Sequence, residues 1–322
     1  IVVLEADEYQ DKLQYLKPQG VILTSIEYDH PDFFPTPAAY RDAFRRFVVR
    51  IPADGFLVAC EDDAAVIEVT REVRCSVISY GLTHPPTPPL RGGGETIKNF
   101  SPSNVEGERE GVDANGIRLK IPGNHNIQNA LGVLAAAERL GVARDVAIRA
   151  LASFQGTRRR FETIGEVNGI TVIDDYGHHP TEIRVSLSAA RERFPGRRIL
   201  CAFHAHTFTR TIALQDQFAT AFVNADHTYV MDIFGSAREI PPLLAEGERV
   251  GVGANNNTTH GITSDLVAAI DKNSPATASG GVEATVDMLL QDVQPGDVVI
   301  CMGAGENDRV ARLLVERLRT NR

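Results

Sequence analysis

Short β-rich runs alternate with amphipathic helices along most of this 322-residue chain. Thr36 is a typical N-cap, and Pro37 fits the first position of the helix that follows. Large apolar side chains then fall on one helical face: Tyr40, Phe44, Phe47 and Val48. Further elements are predicted as strands at residues 21–26, 56–59 and 76–79, and as helices at residues 63–71, 126–140 and 145–154. This alternation predicts an α/β fold with a mostly parallel sheet.

A second series of the same kind begins after Phe161. It is predicted to contain strands at residues 170–173, 199–203, 229–233 and 298–302, and helices at residues 181–194 and 308–318. The spacing of Leu214, Phe218 and Phe222 predicts one more helix. Loops are predicted at residues 84–94, 255–257 and 276–281. We therefore predict two domains, residues 1–160 and 161–322, with their boundary near Arg160.

The composition excludes several classes of protein. Apolar residues make up 43% and charged residues 23%, which is ordinary for a globular protein. The net charge of −9 disfavours non-specific binding to nucleic acid. No apolar run approaches the roughly 18 residues that span a bilayer, so no membrane partner is expected. The 4 cysteines are scattered, without a C-x-x-C pair, which favours a reducing, cytoplasmic location.

The first four residues, Ile1 to Leu4, are all apolar and follow no methionine or signal peptide. They are predicted to form a buried strand. Such a beginning indicates a fragment of a longer protein.

Two acidic clusters follow predicted strands, at residues 5–9 (EADEY) and 27–32 (EYDHPD). Carboxylates at the carboxyl end of a parallel strand lie where α/β proteins bind ligands, and Mg²⁺ prefers such oxygens. One Mg²⁺ bridging both clusters would explain the pair. The alternative is two solvated acidic loops, the second capping the next helix.

Asn126 and Asn129 stand three residues apart at a helix start. Their amides are suited to bind a base or a phosphate there, or one of them simply caps the helix.

Further polar clusters occur near the second series. Three arginines at residues 158–160 favour an anionic ligand in an acidic protein. Two carboxylates and two imidazoles in residues 174–182 (DDYGHHPTE) indicate a functional site, although Thr181 would also suit a helix cap. Arg210 is a candidate anion clamp, unless residues 204–211 are only a helix-start loop. The glycines of residues 303–305 permit close backbone approach, which is a weak signal.

The ordered set of motifs resembles the Mur ligases, and within them the alanine-adding branch. The motifs are EADEY (5–9), IEYDH (26–30), GNHNIQN (123–129), FQGTRRRF (154–161), DDYGHHPTE (174–182), HTFTRT (206–211) and MGAG (302–305). The resemblance implies a central ATPase domain and a Rossmann-like C-terminal domain. It also implies an enzyme that uses ATP and Mg²⁺ to join L-alanine to UDP-N-acetylmuramate through an acyl phosphate.

The resemblance further implies a role for each matching residue. Glu5 and His30 match magnesium ligands, and Asn126 and Asn129 match nucleotide contacts. The remaining matches lie from the domain boundary onward and include both catalytic candidates, Arg160 and His178. They are Arg160 near the ATP phosphates, Asp175 beside the nucleotide, His178 near the incoming amino acid, and His206 and Arg210 on the nucleotide sugar.

The sequence departs from the family in two ways. It contains no G-x-x-x-x-G-K-[ST] motif, so we expect the chain alone to lack ligase activity and to bind nucleotide weakly. Thr207 stands where relatives carry an arginine. Two alternatives therefore stay open: a ligase that recycles murein tripeptide, and a non-catalytic Mur-like module that binds a nucleotide or a partner.

Overall fold

The computed structural model describes residues 1–82, 117–235 and 256–320. The chain divides into two compact units, Ile1–Phe154 and Gln155–Arg322. Each unit is built on its own β-sheet with helices, which confirms the predicted α/β class. The assignment of residues 1–160 and 161–322 as the functional domains stays a prediction.

The first unit contains a three-stranded parallel sheet with strand order β1-β2-β3. Its strands are β1 (Gly20–Leu23), β2 (Phe56–Cys60) and β3 (Ser76–Tyr80). Its helices are α1 (Pro37–Val48), α2 (Ala64–Thr70), α3 (Asn124–Arg139) and α4 (Arg144–Ser153), and a 3₁₀ segment spans Tyr9–Tyr15. Side chains of β2 alternate between two cores. Leu57 packs with α1 and α2, whereas Val58 packs with α3.

The second unit contains a six-stranded sheet with strand order β4-β5-β9-β6-β7-β8. Its strands are β4 (Glu162–Val167), β5 (Ile170–Asp175), β6 (Ile199–His204), β7 (His227–Met231), β8 (Ala276–Gly280) and β9 (Val298–Gly303). Only the β4–β5 pair is antiparallel among the described pairings. The helices are α5 (Pro180–Arg193), α6 (Phe208–Ala213), α7 (Gln215–Phe218), α8 (Asn256–Asp271), α9 (Val282–Asp292) and α10 (Asn307–Thr320).

Burial on both faces explains why the central strands of this sheet are mostly apolar, with polar residues near their ends. Every residue of β5, β6 and β9 is buried. One core includes Phe203, Phe218 and Phe222, and the opposite core packs against α9 and α10. Parallel strands covered by helices on both sides have this sequence character. The result is the Rossmann-like architecture that the resemblance implied.

Four local predictions were wrong. Residues 1–4 form no strand and are exposed, because no described strand edge pairs with them. Residues 276–280 form strand β8 rather than a loop, since pairing with β7 outweighs the weak strand preference of small side chains. Leu214 leaves the helical conformation and separates α6 from α7, although its side chain stays buried. Residues 256 and 257 begin α8 rather than a loop.

The predicted loop at residues 84–94 lies outside the described residues. Within the described ranges, no helix is both long enough and apolar enough to cross a membrane.

Candidate functional site

Three strands of the second unit end side by side at one edge of the sheet. In the register, Met302 of β9 pairs with Asp175 on β5 and with Phe203 on β6, and His204 pairs with Gly303. The end of β5 and the segments that follow β5 and β6 carry most of the site residues predicted for this unit. They are Asp175, His178, His206 and Arg210, and Arg160 joins them through contacts described below. Carboxyl edges of parallel sheets are the usual ligand sites of such folds.

The carboxylate of Asp175 is buried at this edge, with 4% of the residue exposed. It accepts hydrogen bonds from the backbone N–H of Phe161 at 2.9 Å and of Gly177 at 2.7 Å. The Ser186 hydroxyl donates a third at 3.3 Å. Burial raises the pKa of Asp175 despite these bonds. Asp175 therefore ties the segment that follows Arg160 to the segment that precedes His178.

Glu182 connects two predicted site residues. Its carboxylate accepts from the backbone N–H groups of His178 at 3.0 Å and His179 at 3.1 Å, which forms a capping box at the start of α5. The Arg160 guanidinium donates to it at 3.3 Å. Burial would raise the pKa of Glu182, but His178, the two N–H groups and Arg160 lower it below its usual value. Glu182 was not predicted as a site residue, although its place in a Pro-Thr-Glu helix start was a usable signal.

His178, His206 and Arg210 lie near one another beside these residues. The ring centroids of His178 and His206 are 6.3 Å apart, and His206 stacks on Phe234 at 5.7 Å. Arg210 is 3% exposed, and its Nη1 donates to the His206 carbonyl at 3.2 Å. The same Nη1 lies 3.3 Å from His206 Nδ1. Imidazoles beside a buried guanidinium form a region suited to an anionic ligand.

A second buried network includes the other aspartate of the motif at residues 174–182, for which no individual role was predicted. Asp174 is fully buried, and its Oδ1 accepts from Asn307 Nδ2 at 2.8 Å. Its Oδ2 lies 3.4 Å from Arg159 Nε. Burial raises the pKa of Asp174 to about 6, although Arg159 opposes this shift. Asp174 and Asp175 are successive residues of β5, and successive side chains of a strand point to opposite faces of the sheet. The two carboxylates therefore have different partners at the same strand end.

The raised pKa of Asp174 gives the stability of the second unit a pH dependence. In the unfolded chain its pKa is near 3.8, so between about pH 4 and pH 6 the folded chain holds the extra proton. The free energy of unfolding therefore falls as the pH rises through this window, by up to about 1.4 kcal/mol per pH unit for one proton. Asp175 acts in the same direction and Glu182 in the opposite one.

We expect Asp174→Asn to flatten this dependence in urea unfolding curves recorded from pH 4 to pH 7. Asp216→Asn, at an exposed position in α7, should show the same pH dependence of unfolding as the unmodified chain. Equal slopes for Asp174→Asn and the unmodified chain would contradict the assignment.

In the first unit, His30 lies beside carboxylates from two segments. Its Nε2 is 3.5 Å from Glu8 Oε1 and 3.7 Å from Asp29 Oδ2. The Tyr9 ring contacts the imidazole at a centroid distance of 4.5 Å, and Tyr40 donates to Glu8 at 3.1 Å. The structure thus brings His30 together with Glu8 from the first acidic motif.

Glu5, the other predicted magnesium ligand, lies in the exposed segment before Glu8. Among the described residues, no group of three or more His, Cys, Asp or Glu side chains is arranged to hold a metal.

Asn126 and Asn129 lie in the first two turns of α3. The N-cap is Gly123, with φ 99°, so neither asparagine occupies the capping position. Asn126 donates its amide to the Pro122 carbonyl at 2.7 Å, and Asn129 is exposed. The capping alternative is therefore wrong.

Comparison with known proteins identifies the family. The Mur ligase middle domain matches residues 1–137, and the Mur ligase glutamate ligase domain matches residues 159–305. A protein of Roseiflexus named UDP-N-acetylmuramate–L-alanine ligase is 36% identical over 99% of this chain and 67% of its own length. The chain spans 63% to 67% of the length of the first three curated relatives, all of which carry that name.

Solved structures show the same fold. The UDP-N-acetylmuramate–alanine ligase of Thermotoga maritima has a TM-score of 0.64 at 24% identity, covering 97% of this chain and 62% of that one. The MurF ligase of the same organism, in complex with ADP, also has a TM-score of 0.64, at 16% identity over 97% of this chain and 65% of that one. The motif resemblance is thereby confirmed, and the chain belongs to the Mur ligase family.

Proposed function

We propose that this chain is the larger part of an ATP-dependent ligase that joins L-alanine to UDP-N-acetylmuramate in the synthesis of the peptidoglycan precursor. The observation that carries the proposal is the alignment of almost the whole chain with relatives of that name at 35–36% identity. The cluster of Arg160, Asp175, His178, His206 and Arg210 at one sheet edge supports it.

The proposed reaction has two steps. The carboxylate of the nucleotide sugar attacks the γ-phosphorus of ATP, so a C–O–P linkage forms and ADP leaves. The amine of L-alanine then attacks the acyl carbon, the amide bond forms, and inorganic phosphate leaves with the acyl C–O bond broken. The amine loses a proton in this step. Both steps need cationic groups around the phosphoryl oxygens and exclusion of water.

We assign each of these tasks to particular residues of the chain. Arg160 is half-exposed, so its guanidinium is accessible to the ATP phosphates, to which we assign it. Asp175, Asn126 and Asn129 are assigned to the nucleotide. His178 is assigned to the incoming amino acid. His206 and Arg210 are assigned to the nucleotide sugar, because the imidazole and the buried guanidinium suit its negative charge. We further propose residues 1–160 as the ATP-binding domain and residues 161–322 as the C-terminal domain.

We propose that Mg²⁺ enters with the nucleotide and lies near Glu5 and His30. Mg²⁺ bound to a nucleotide usually keeps several waters and takes only one or two protein ligands. The oxygen donors of Glu8 and Asp29 beside His30 fit that chemistry without a complete protein cage. When bound, the ion neutralises phosphate charge. Because ATP and nucleotide sugars are cytoplasmic metabolites, we place the enzyme in the cytoplasm.

The full-length gene product tests the proposal. We expect phosphate release only when ATP, Mg²⁺, UDP-N-acetylmuramate and L-alanine are all present, with a product heavier than the nucleotide sugar by one alanine residue in the mass spectrum. Turnover with a murein tripeptide but not with L-alanine would indicate the recycling ligase. Binding of ADP without turnover under any of these conditions would indicate a non-catalytic module.

A further inference from the structure

The buried side chains of Asp174 and Asn307 and the partly exposed side chain of Arg159 form a cluster that we call the bracket. We propose that the bracket is a positioning device, which sets the backbone turn at residues 159–161 and thereby the placement of Arg160 beside Asp175. The inference rests on the proposed function, because it assigns Arg160 and Asp175 to ATP. Arg159 and Asp174 belong to clusters that the sequence indicated, but neither had an individual role predicted for it, and Asn307 was not indicated at all.

Asn307 is the centre of the bracket. It is fully buried at the start of α10. Its Nδ2 donates to Asp174 Oδ1 at 2.8 Å and lies 3.2 Å from the carbonyl oxygens of Asp175 and Cys301. Its Oδ1 accepts from Arg159 Nη2 at 2.8 Å. One amide thus joins the ends of β5 and β9 to Arg159, and its orientation is determined because the nitrogen meets only acceptors.

Arg159 is held by its side chain and its backbone together. Its Nη2 also approaches the carbonyl oxygens of Gly303 at 3.2 Å and Gly305 at 3.4 Å. Its backbone oxygen accepts from the Tyr176 N–H at 2.6 Å. The residue has φ 59°, a left-handed conformation that is unfavourable for arginine. The bond from Tyr176 and a bond from the Arg159 N–H to the Glu162 carboxylate at 2.9 Å hold this backbone, and the bracket holds the side chain.

The direction of Arg160 follows from this turn. Arg160 comes directly after Arg159, and both guanidinium groups lie over the Tyr176 ring, at 4.9 Å and 5.4 Å from its centroid. The next residue, Phe161, donates its N–H to Asp175. The turn is therefore held on one side of Arg160 by the bracket and on the other by Asp175. Loosening either end lets the Arg160 side chain leave its place.

The electrostatics of the bracket favour positioning over stability. Within the described part of the chain, Asp174 Oδ2 and Arg159 Nε are buried and have no hydrogen-bond partner, although they face each other at 3.4 Å. A buried ion pair with incomplete hydrogen bonding stabilises a fold less than a well-packed apolar cluster of similar volume. Its placement next to the proposed nucleotide residues indicates that orientation is what it contributes.

A double-mutant cycle in the full-length enzyme tests the proposal. We expect Asn307→Ala to lower kcat/KM for ATP by at least about tenfold, because a displaced phosphate ligand weakens catalysis steeply. In an Arg160→Ala background, the same substitution should change kcat/KM by less than about twofold, because the group it positions is already absent. KM for L-alanine should stay within about twofold in the Asn307→Ala single variant.

Two matched controls separate positioning from lost stability. Asn168 also donates its amide to a carbonyl, that of Leu318 at 2.9 Å, but lies at the opposite end of β5. Asn168→Ala should lower the unfolding midpoint without changing kcat/KM for ATP.

Arg159→Lys removes the guanidinium that bonds to Asn307, so it should reproduce the kinetic effect of Asn307→Ala. It replaces Asn307→Ala in the cycle if that variant fails to fold. Arg158→Lys, at the exposed neighbouring position, should have no kinetic effect.

The outcomes distinguish a failure of the positioning role from a failure of the proposed function. Fully additive effects of Asn307→Ala and Arg160→Ala would overturn the positioning role while leaving the proposed function intact. Unchanged kinetics for Arg160→Ala alone would overturn the assignment of Arg160 to ATP, and the positioning role with it.

Discussion

Replacement of Arg160 by alanine is expected to lower kcat/KM for ATP of the full-length enzyme by about 100-fold or more. A positioned cation that stabilises charge on a transferring group contributes this much in other enzymes. The side chain is 48% exposed and pairs with Glu182 at 3.3 Å, which is a weak surface interaction. The unfolding midpoint should therefore shift by no more than about 2 °C. Initial-rate kinetics and a thermal melt of the same preparation measure both quantities.

The neighbouring arginine provides the control for this prediction. Arg158→Ala removes an equal charge two positions earlier in the same segment, from an exposed site. We expect its kcat/KM to stay within about threefold of the unmodified enzyme, because long-range attraction between the enzyme and ATP is screened at physiological salt. Equal losses in both variants would mean that overall charge, rather than a placed guanidinium, accounts for the effect.

Gly303→Ala is expected to destabilise the second unit by about 3 kcal/mol or more. Gly303 ends β9 with φ 135°, a region that residues with a Cβ rarely adopt. An added Cβ would lie 2.3 Å from the His204 carbonyl oxygen, which is backbone of the adjacent strand and cannot rotate away. Urea unfolding followed by circular dichroism measures the loss.

Gly296→Ala isolates the contribution of the backbone angle alone. Gly296 has φ 104°, but an added Cβ there meets no atom within 4 Å. Its replacement should cost about 1 kcal/mol. If both variants lost the same stability, the close approach of Gly303 to His204 would not be the cause.

The sequence predicted the central strands well because their environment is uniform. β5, β6 and β9 are covered on both faces, so most of their residues are apolar. β8 was missed because Ala276–Gly280 has small side chains and forms the edge of the sheet, where backbone pairing with β7 decides the structure. Residues 1–4 were predicted as a strand because they are apolar, but they pair with no described strand and are exposed.

The site was predictable where residues close in the chain act together. Asp175 and His178 lie where one strand joins the next helix, and the motif that contains them is specific. Asn307 contacts Arg159 across 148 positions of the chain, a distance that no local pattern indicates. The partnership depends on the strand order, which places β9 beside β5, and on Gly303 and Gly305 allowing the chain to pass close to β6.

The position of β9 also governs when this part of the protein becomes complete during synthesis. β5 and β6 are made early but are not hydrogen-bonded to each other, and the strand that fits between them is made about a hundred residues later. A ribosome-bound chain that ends before Val298 therefore lacks the strand that pairs with both Asp175 of β5 and Phe203 of β6. Nascent chains should acquire the complete sheet edge in a single late event rather than by gradual growth.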